Sequence, residues 1–180
     1  MLEDDDVNKT DSTIKSKIDE WYEENLIDYE NYLEDTVFCN DRSISSKGEW
    51  DPNGGSLSGF LLFKENTVSS DLTCSNNVDR FTKEKSNGNG ALKYPVGLLS
   101  SPEANLWGEN ARNNDLCYWL GSPSVFYFDS AYGSVAYFGI LREYDVGGSS
   151  GIRPSISLAP GTTFTSGTGS TNDPFIIPTD

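Results

Sequence analysis

The chain predicts an α+β domain, in which one amphipathic helix near the N-terminus packs on a small antiparallel sheet linked by irregular loops. Three observations carry this. Apolar residues recur at helical spacing between Ile14 and Leu33, whereas the last third breaks into short β-like runs separated by Gly or Ser. Seventeen glycines among abundant Ser, Thr and Asn imply many turns. The apolar fraction, 36%, is low, yet nine Tyr, nine Phe and four Trp supply bulky side chains, enough for 180 residues to bury one core.

Residues 1–10 are polar and acidic and read as a disordered tether or a cloning remnant, which leaves 11–180 as the single domain. Asp11 or Ser12 caps a helix whose apolar stripe is Ile14, Ile18, Trp21, Leu26, Tyr29 and Leu33, with a break near Asn25. Thr36 to Cys39 forms a short strand closed by Asn40-Asp41. Asp51-Pro52-Asn53-Gly54-Gly55 is a turn cluster, and Phe60 to Phe63 is a buried run too short to assign. Leu92 to Leu99 reads as a strand. It runs into Ser100-Ser101-Pro102-Glu103, a helix start with early proline and an acid beside it, and that helix stops by Gly108. Strands follow at Leu116 to Leu120, Val125 to Phe128, Ser134 to Phe138 and Ile140 to Tyr144, with a corner at Gly121-Ser122-Pro123. Ile152 to Leu158 alternates, placing Ile152, Ile156 and Leu158 on one face, and Phe175 to Ile177 is a terminal strand.

Charge and composition narrow the function. A net charge of -15 argues against nucleic acid and anionic membranes, because both need clustered Lys and Arg. No histidine is present, which removes the commonest general base, the commonest zinc ligand and every Ser-His or Cys-His pair. The three cysteines show no C-x-x-C spacing. Cys39 and Cys74 can pair in an exported chain, a pairing the sequence leaves open, while Cys117 reads as a small buried hydrophobe. Nothing in the 180 residues reads as a signal peptide or a membrane span. Met1 opens directly onto Leu-Glu-Asp-Asp-Asp, so a removed N-terminal anchor is expected if the chain is displayed on a surface.

Several blocks in the C-terminal half carry a resemblance. They are Tyr118-Trp119-Leu120-Gly121-Ser122-Pro123, then Gly151-Ile152-Arg153-Pro154-Ser155-Ile156-Ser157-Leu158, a Gly-Thr-Gly-Ser run and Asp173-Pro174-Phe175-Ile176-Ile177. Val37 to Ser43 and Tyr94 to Leu98 match as well. Together they resemble bacterial surface proteins of the C-type lectin fold, and in particular the variable proteins of diversity-generating retroelements. The resemblance implies a C-type-lectin-like domain displayed outside the cell, on its surface in an adhesin-like or pilin-like protein, or else on a phage particle. It also implies that a segment just before the Gly-Ile-Arg-Pro block is rewritten at template adenines. Asparagine codons AAC then become any codon ending in C, which excludes Trp, Met, Lys, Gln and Glu. Those five types number 25 in the chain, so the 27 residues from Ser124 to Ser150 would hold about four by composition alone. They hold one, Glu143.

The same segment, 124–148, has the makeup of a binding face, since Tyr among Ser and Gly gives large, stiff contact area at small entropic cost. The expected scaffold is Phe126, Ala131, Val135, Gly139, Leu141 and Val146. The expected ligand contacts are Tyr127, Phe128, Asp129, Ser130, Tyr132, Tyr137, Phe138, Arg142, Tyr144 and Asp145. Core packing is the plainer role for these aromatics, but six in some eighteen residues exceed what one side of a small sheet needs. Trp119 reads as core, and Arg153 as partly buried and hydrogen-bonded rather than ligand-binding.

The ligand is expected to be an external protein, with a glycan bound without metal as the alternative. No cofactor and no metal are expected. The calcium-dependent lectin motifs are missing, since Trp50-Asp51-Pro52-Asn53 only echoes them and reads as a turn, while the acidic composition leaves a structural calcium elsewhere open. The enzyme alternatives are a carboxylate pair such as Asp129 and Asp145 acting on a glycosidic bond, and the formylglycine-generating fold. For the latter, Cys117 lacks both a partner cysteine and an activating histidine.

Overall fold

The computed structural model describes residues 11–40, 42, 56–57, 72–108, 116–127, 130–170 and 172–178, with backbone alone at 56, 57, 126, 127 and 130. The expectations for residues 1–10, for the turn at 51–55, for Phe60 to Phe63 and for Trp50 to Asn53 lie outside them. Among the described residues the architecture is mixed α+β, with small antiparallel sheets.

Helix α1, Thr13–Asn25, starts where the sequence places it: the Ser12 side chain accepts from the Lys15 amide at 3.1 Å. Its exposed side is laced by the Lys17–Glu20 ion pair at 2.6 Å. The predicted break at Asn25 is real, and a 3₁₀ turn over Ile27–Tyr32 follows. Ile18 and Tyr22 are buried, with Tyr22 stacked on Tyr94 at 4.6 Å. Burial pushes the Tyr22 phenol up from its ordinary pKa. The helix cluster is completed by Val96, Leu98, Leu33 and Ile152. α1 therefore packs on the irregular segment 92–98 instead of directly on the main sheet, a correction to the predicted arrangement.

That segment was expected to be a strand and is not one. Pro95 has no amide to donate, Leu92 N–H donates to the Thr82 carbonyl at 3.0 Å, and within the segment only Gly97 forms a β-bridge, with Ser155. Ile152 to Leu158 behaves alike. It changes partner from Tyr118 (at Gly151) to Gly97 (at Ser155) to Leu33–Glu34, and only Ser157–Leu158 is strand. Ile152 joins the helix cluster, but Ile156 and Leu158 are each 37% exposed, so the three do not share a buried face. The terminal strand at Phe175 to Ile177 reduces to one bridge, Ser166 to Ile176, while the Tyr32 hydroxyl donates to the Pro178 carbonyl at 2.9 Å and ties the two ends together.

In chain order the strands are β1 Leu33–Glu34, β2 Phe38–Cys39, β3 Ser56–Leu57, β4 Arg80–Phe81, β5 Tyr118–Tyr127, β6 Ser130–Tyr137, β7 Ile140–Asp145 and β8 Ser157–Leu158. β1 pairs with β8, β2 with β4, and the main sheet runs β3-β5-β6-β7. The separate runs predicted at 116–120 and 125–128 are one strand. Their expected corner is absorbed as register shifts between Trp119 and Val125, where Pro123 interrupts regular pairing. Helix α2, Ser101–Leu106, opens with a capping box: the Glu103 carboxylate accepts from the Ser100 amide at 2.8 Å, and Ser100 Oγ accepts from the Glu103 amide at 3.4 Å. It docks on β5 through the Ser101 amide, which donates to Ser122 Oγ at 2.9 Å. Ala104, Tyr118, Leu120, Ala136 and Leu141 form the core between α2 and the sheet.

Cys39 and Cys74, 35 positions apart in sequence, form a disulfide with Cα atoms 5.7 Å apart. Closing a loop of that length contributes about 3–4 kcal/mol in chain-entropy terms. Beside it the buried Asp79 carboxylate is neutralised by Arg42. Cys117 is a free thiol and only half buried, short of the full burial expected. Among the described residues no helix is long and apolar enough to cross a membrane.

Candidate functional site

The β6–β7 hairpin is built from a strict register: Tyr137 opposite Ile140, Val135 opposite Arg142, Gly133 opposite Tyr144 and Tyr132 opposite Asp145. Side chains two apart on a strand share a face, so this register sorts the predicted contacts. Tyr137, Arg142 and Tyr144 stand on one side of the sheet, over the buried Val135 and Trp119. Tyr132 and Asp145 belong to the other side, with Ser134, Ala136 and Leu141, where α2 packs. Ser130 faces Tyr127 in backbone register at the far end of the hairpin β5–β6. Phe128 and Asp129 lie outside the described residues.

Four of the ten predicted contacts therefore cluster in the open: Tyr137 (42% exposed), Phe138 (46%), Arg142 and Tyr144 (43%). The Tyr137 and Phe138 rings meet edge to face, 4.5 Å between centroids. Tyr144 is held from two sides. Its ring tilts against Trp119 at 5.8 Å, and it also lies over Gly148, where a Cβ would come within 2.4 Å of the ring. Gly133 makes the matching space below, since a Cβ there would meet the Trp119 ring at 3.0 Å. Trp119 is core, as expected, at 6% exposure.

Asp145 has a structural task. One carboxylate oxygen accepts from the Gly147 amide at 2.7 Å and shapes the turn that ends β7. Of the predicted scaffold, Val135 and Leu141 are buried, but Val146 is 58% exposed and belongs to the open surface. Ile140, 43% exposed, was missed. Its signal was available, because in a strand whose Leu141 points inward Ile140 must point the other way, beside Arg142.

The hairpin tip is unusual. Phe138 has φ +47°, the one positive value among the described non-glycine residues, and Gly139 follows at +78°. Two consecutive positive φ angles in a two-residue connection mark a type I′ turn, for which Asn-Gly is preferred. A phenylalanine there costs about 1–2 kcal/mol relative to the right-handed region.

Arg153 donates to the Tyr118 hydroxyl at 3.3 Å and lies over the Trp107 and Tyr118 rings at 5.4 and 5.5 Å, the half-buried scaffold role expected of it. Gly151 is equally constrained: it exchanges backbone hydrogen bonds with Cys117 and Trp119, and a Cβ would meet the Cys117 carbonyl oxygen at 2.9 Å.

A separate cavity of about 370 Å³ lies between the start of α1 and the segment 91–98, walled by Ile14, Ile18, Phe38, Phe81, Leu92 and Val96. It shares no lining residue with the hairpin face. Lys15 at its rim is already paired with Asp19. Among the described residues no cluster of three His, Cys, Asp or Glu side chains is placed to hold a metal. In comparisons with known protein families, curated proteins and solved structures, nothing matches this chain.

Proposed function

We propose that the chain is a surface-displayed binding domain of C-type-lectin-like type, a binder and not an enzyme, whose β6–β7 hairpin recognises an external protein ligand. The observation that carries this is Phe138. Its backbone conformation is unfavourable for a bulky residue, and nearly half of the side chain is left in solvent. Folding gains little from such a residue, and strain retained at an exposed position is the mark of a contact that serves something else. Tyr137 and Tyr144, ordered by ring contacts and glycine-made space, add stiff anchors to the same surface. The disulfide fits an oxidising compartment outside the cytosol.

The 124–148 segment is further proposed to be the diversified segment of a retroelement-driven variable protein. Phe138 supports this as well. The turn asks for Asn at that position, and an asparagine codon AAC altered at both adenines reads TTC, phenylalanine. Sequencing the locus across many clones of one lineage should find substitutions concentrated at the 124–148 codons and matched to adenines in a nearby template copy. Variation no greater there than in α1 removes the retroelement reading and leaves the binding face standing on its own.

The face itself is tested with the Tyr137→Ala/Phe138→Ala double variant. It is expected to melt within about 3 °C of the wild type, since exposed substitutions shift stability little. It is also expected to lose capture of peptides selected on the wild-type chain from a displayed random library. Collapse of the fold, or undiminished capture, would show that the recognition surface lies elsewhere.

A further inference from the structure

The open face of β7 carries one charge, and that charge is unpaired. Ile140, Arg142 and Tyr144 alternate along it, with Tyr137 beside Ile140 and the buried Val135 and Trp119 beneath. Glu143 and Asp145, the nearby acids of the strand, fall on the other side by the pleat. Among the described residues nearly every cation is engaged: Lys15, Lys17, Arg42, Lys83 and Lys93 in ion pairs, Arg80 with a backbone carbonyl and Arg153 with Tyr118. Arg142 makes neither a hydrogen bond nor an ion pair, although the chain as a whole carries a net charge of -15. A free guanidinium between exposed rings and an isoleucine is a poor use of a cation for solubility. It is instead suited to a planar anion approaching across an apolar surface, because its donor fork matches a carboxylate in two parallel hydrogen bonds.

Resting on the binding-face reading above, we propose that this row is a docking site for an acidic, apolar peptide segment of the partner protein. Arg142 takes a carboxylate of that segment. Tyr137, Phe138, Ile140 and Tyr144 take the apolar side chains on either side of it. A cationic segment is disfavoured at contact, because it would bring like charge against Arg142. The acidic remainder of the chain, by contrast, repels an acidic segment at long range. Association with an acidic segment is therefore expected to quicken as salt rises, the reverse of a basic ligand's behaviour.

The test pans a phage-displayed library of random short peptides on the full chain and measures the enriched peptides, made synthetically, against three variants. The proposal expects enrichment in Asp and Glu next to aromatic or aliphatic residues. Affinity should fall about tenfold or more on Arg142→Gln, with a smaller loss on Arg142→Lys, which keeps the charge but not the fork. Near-ultraviolet circular dichroism of both Arg142 variants should match the wild type. Peptides that are lost on Tyr137→Ala/Phe138→Ala but are basic or neutral, or indifferent to Arg142→Gln, overturn the carboxylate inference and leave the binding face intact. Peptides indifferent to all three variants, or no enrichment at all, overturn both.

Discussion

Two hairpins of this molecule display an aromatic pair to solvent, and they solve the same backbone problem in opposite ways. In the C-terminal hairpin Phe164 and Phe175 stack at 4.4 Å, 43% and 50% exposed, while Gly167 and Gly169 take the positive φ angles, +99° and +78°. Any side chain at Gly167 would place its Cβ 2.0 Å from the Pro174 carbonyl oxygen, so glycine is the residue that local geometry requires. In the β6–β7 hairpin the first positive position is filled by Phe138, and its ring meets Tyr137 only by an edge. The C-terminal rings close on each other in a locally consistent turn. The β6–β7 rings meet edge to face and are carried outward by a turn that violates its own preference. Exposure alone does not distinguish the two pairs; backbone chemistry does.

That contrast can be broken at three points. The largest effect is expected from Gly167→Ala, which adds a backbone collision to a left-handed conformation and should cost the C-terminal hairpin about 2–3 kcal/mol. Hydrogen exchange would report it as faster exchange of the Thr168 and Ile176 amides, which are bonded across that hairpin. Unchanged exchange there would mean that this hairpin carries no more local constraint than the other. Phe138→Asn should act in the opposite direction. Relieving the turn raises stability by roughly 0.5–1 kcal/mol, or about 1–4 °C in melting temperature, while capture of the selected peptides weakens. A destabilised Phe138→Asn protein would place the ring in the fold's service and erase the distinction. The smallest change is expected from Gly148→Ala. The new methyl group displaces the Tyr144 ring from its seat, so stability moves by less than about 0.5 kcal/mol. The tryptophan fluorescence of Trp119 should change, because its ring contact with Tyr144 is altered. An unaltered spectrum would show that Gly148 does not position Tyr144.

Much of the fold was legible in the sequence wherever the signal was local. Ser12 as a helix cap, the break near Asn25 and the start of α2 at Ser100-Ser101-Pro102-Glu103 all appear as read, because such signals act between residues a few positions apart. The hairpin strands β6 and β7 were also legible from composition and the glycine between them. The failures share a cause. Leu92 to Leu99 and Ile152 to Leu158 have strand-like patterns, but each pairs with distant segments only one or two residues at a time, and no window of sequence contains those partners. Of the candidate site, the sequence found Tyr137, Phe138, Arg142 and Tyr144 but grouped them with Tyr132 and Asp145, which the register assigns to the opposite side of the sheet.

By itself, then, the sequence determined the class of structure, the helix boundaries, the acidic and histidine-free chemistry, and the aromatic richness of 124–148. Only the tertiary structure decided which of those aromatics share a face, that Arg142 stands unpaired among them, and that Phe138 is held in a left-handed turn. The physical reason is one of range. Caps, periods and composition act over a few residues and are written locally. Strand register and the side to which a residue points are set by backbone hydrogen bonds between segments far apart, and a shift of one residue would exchange the two faces.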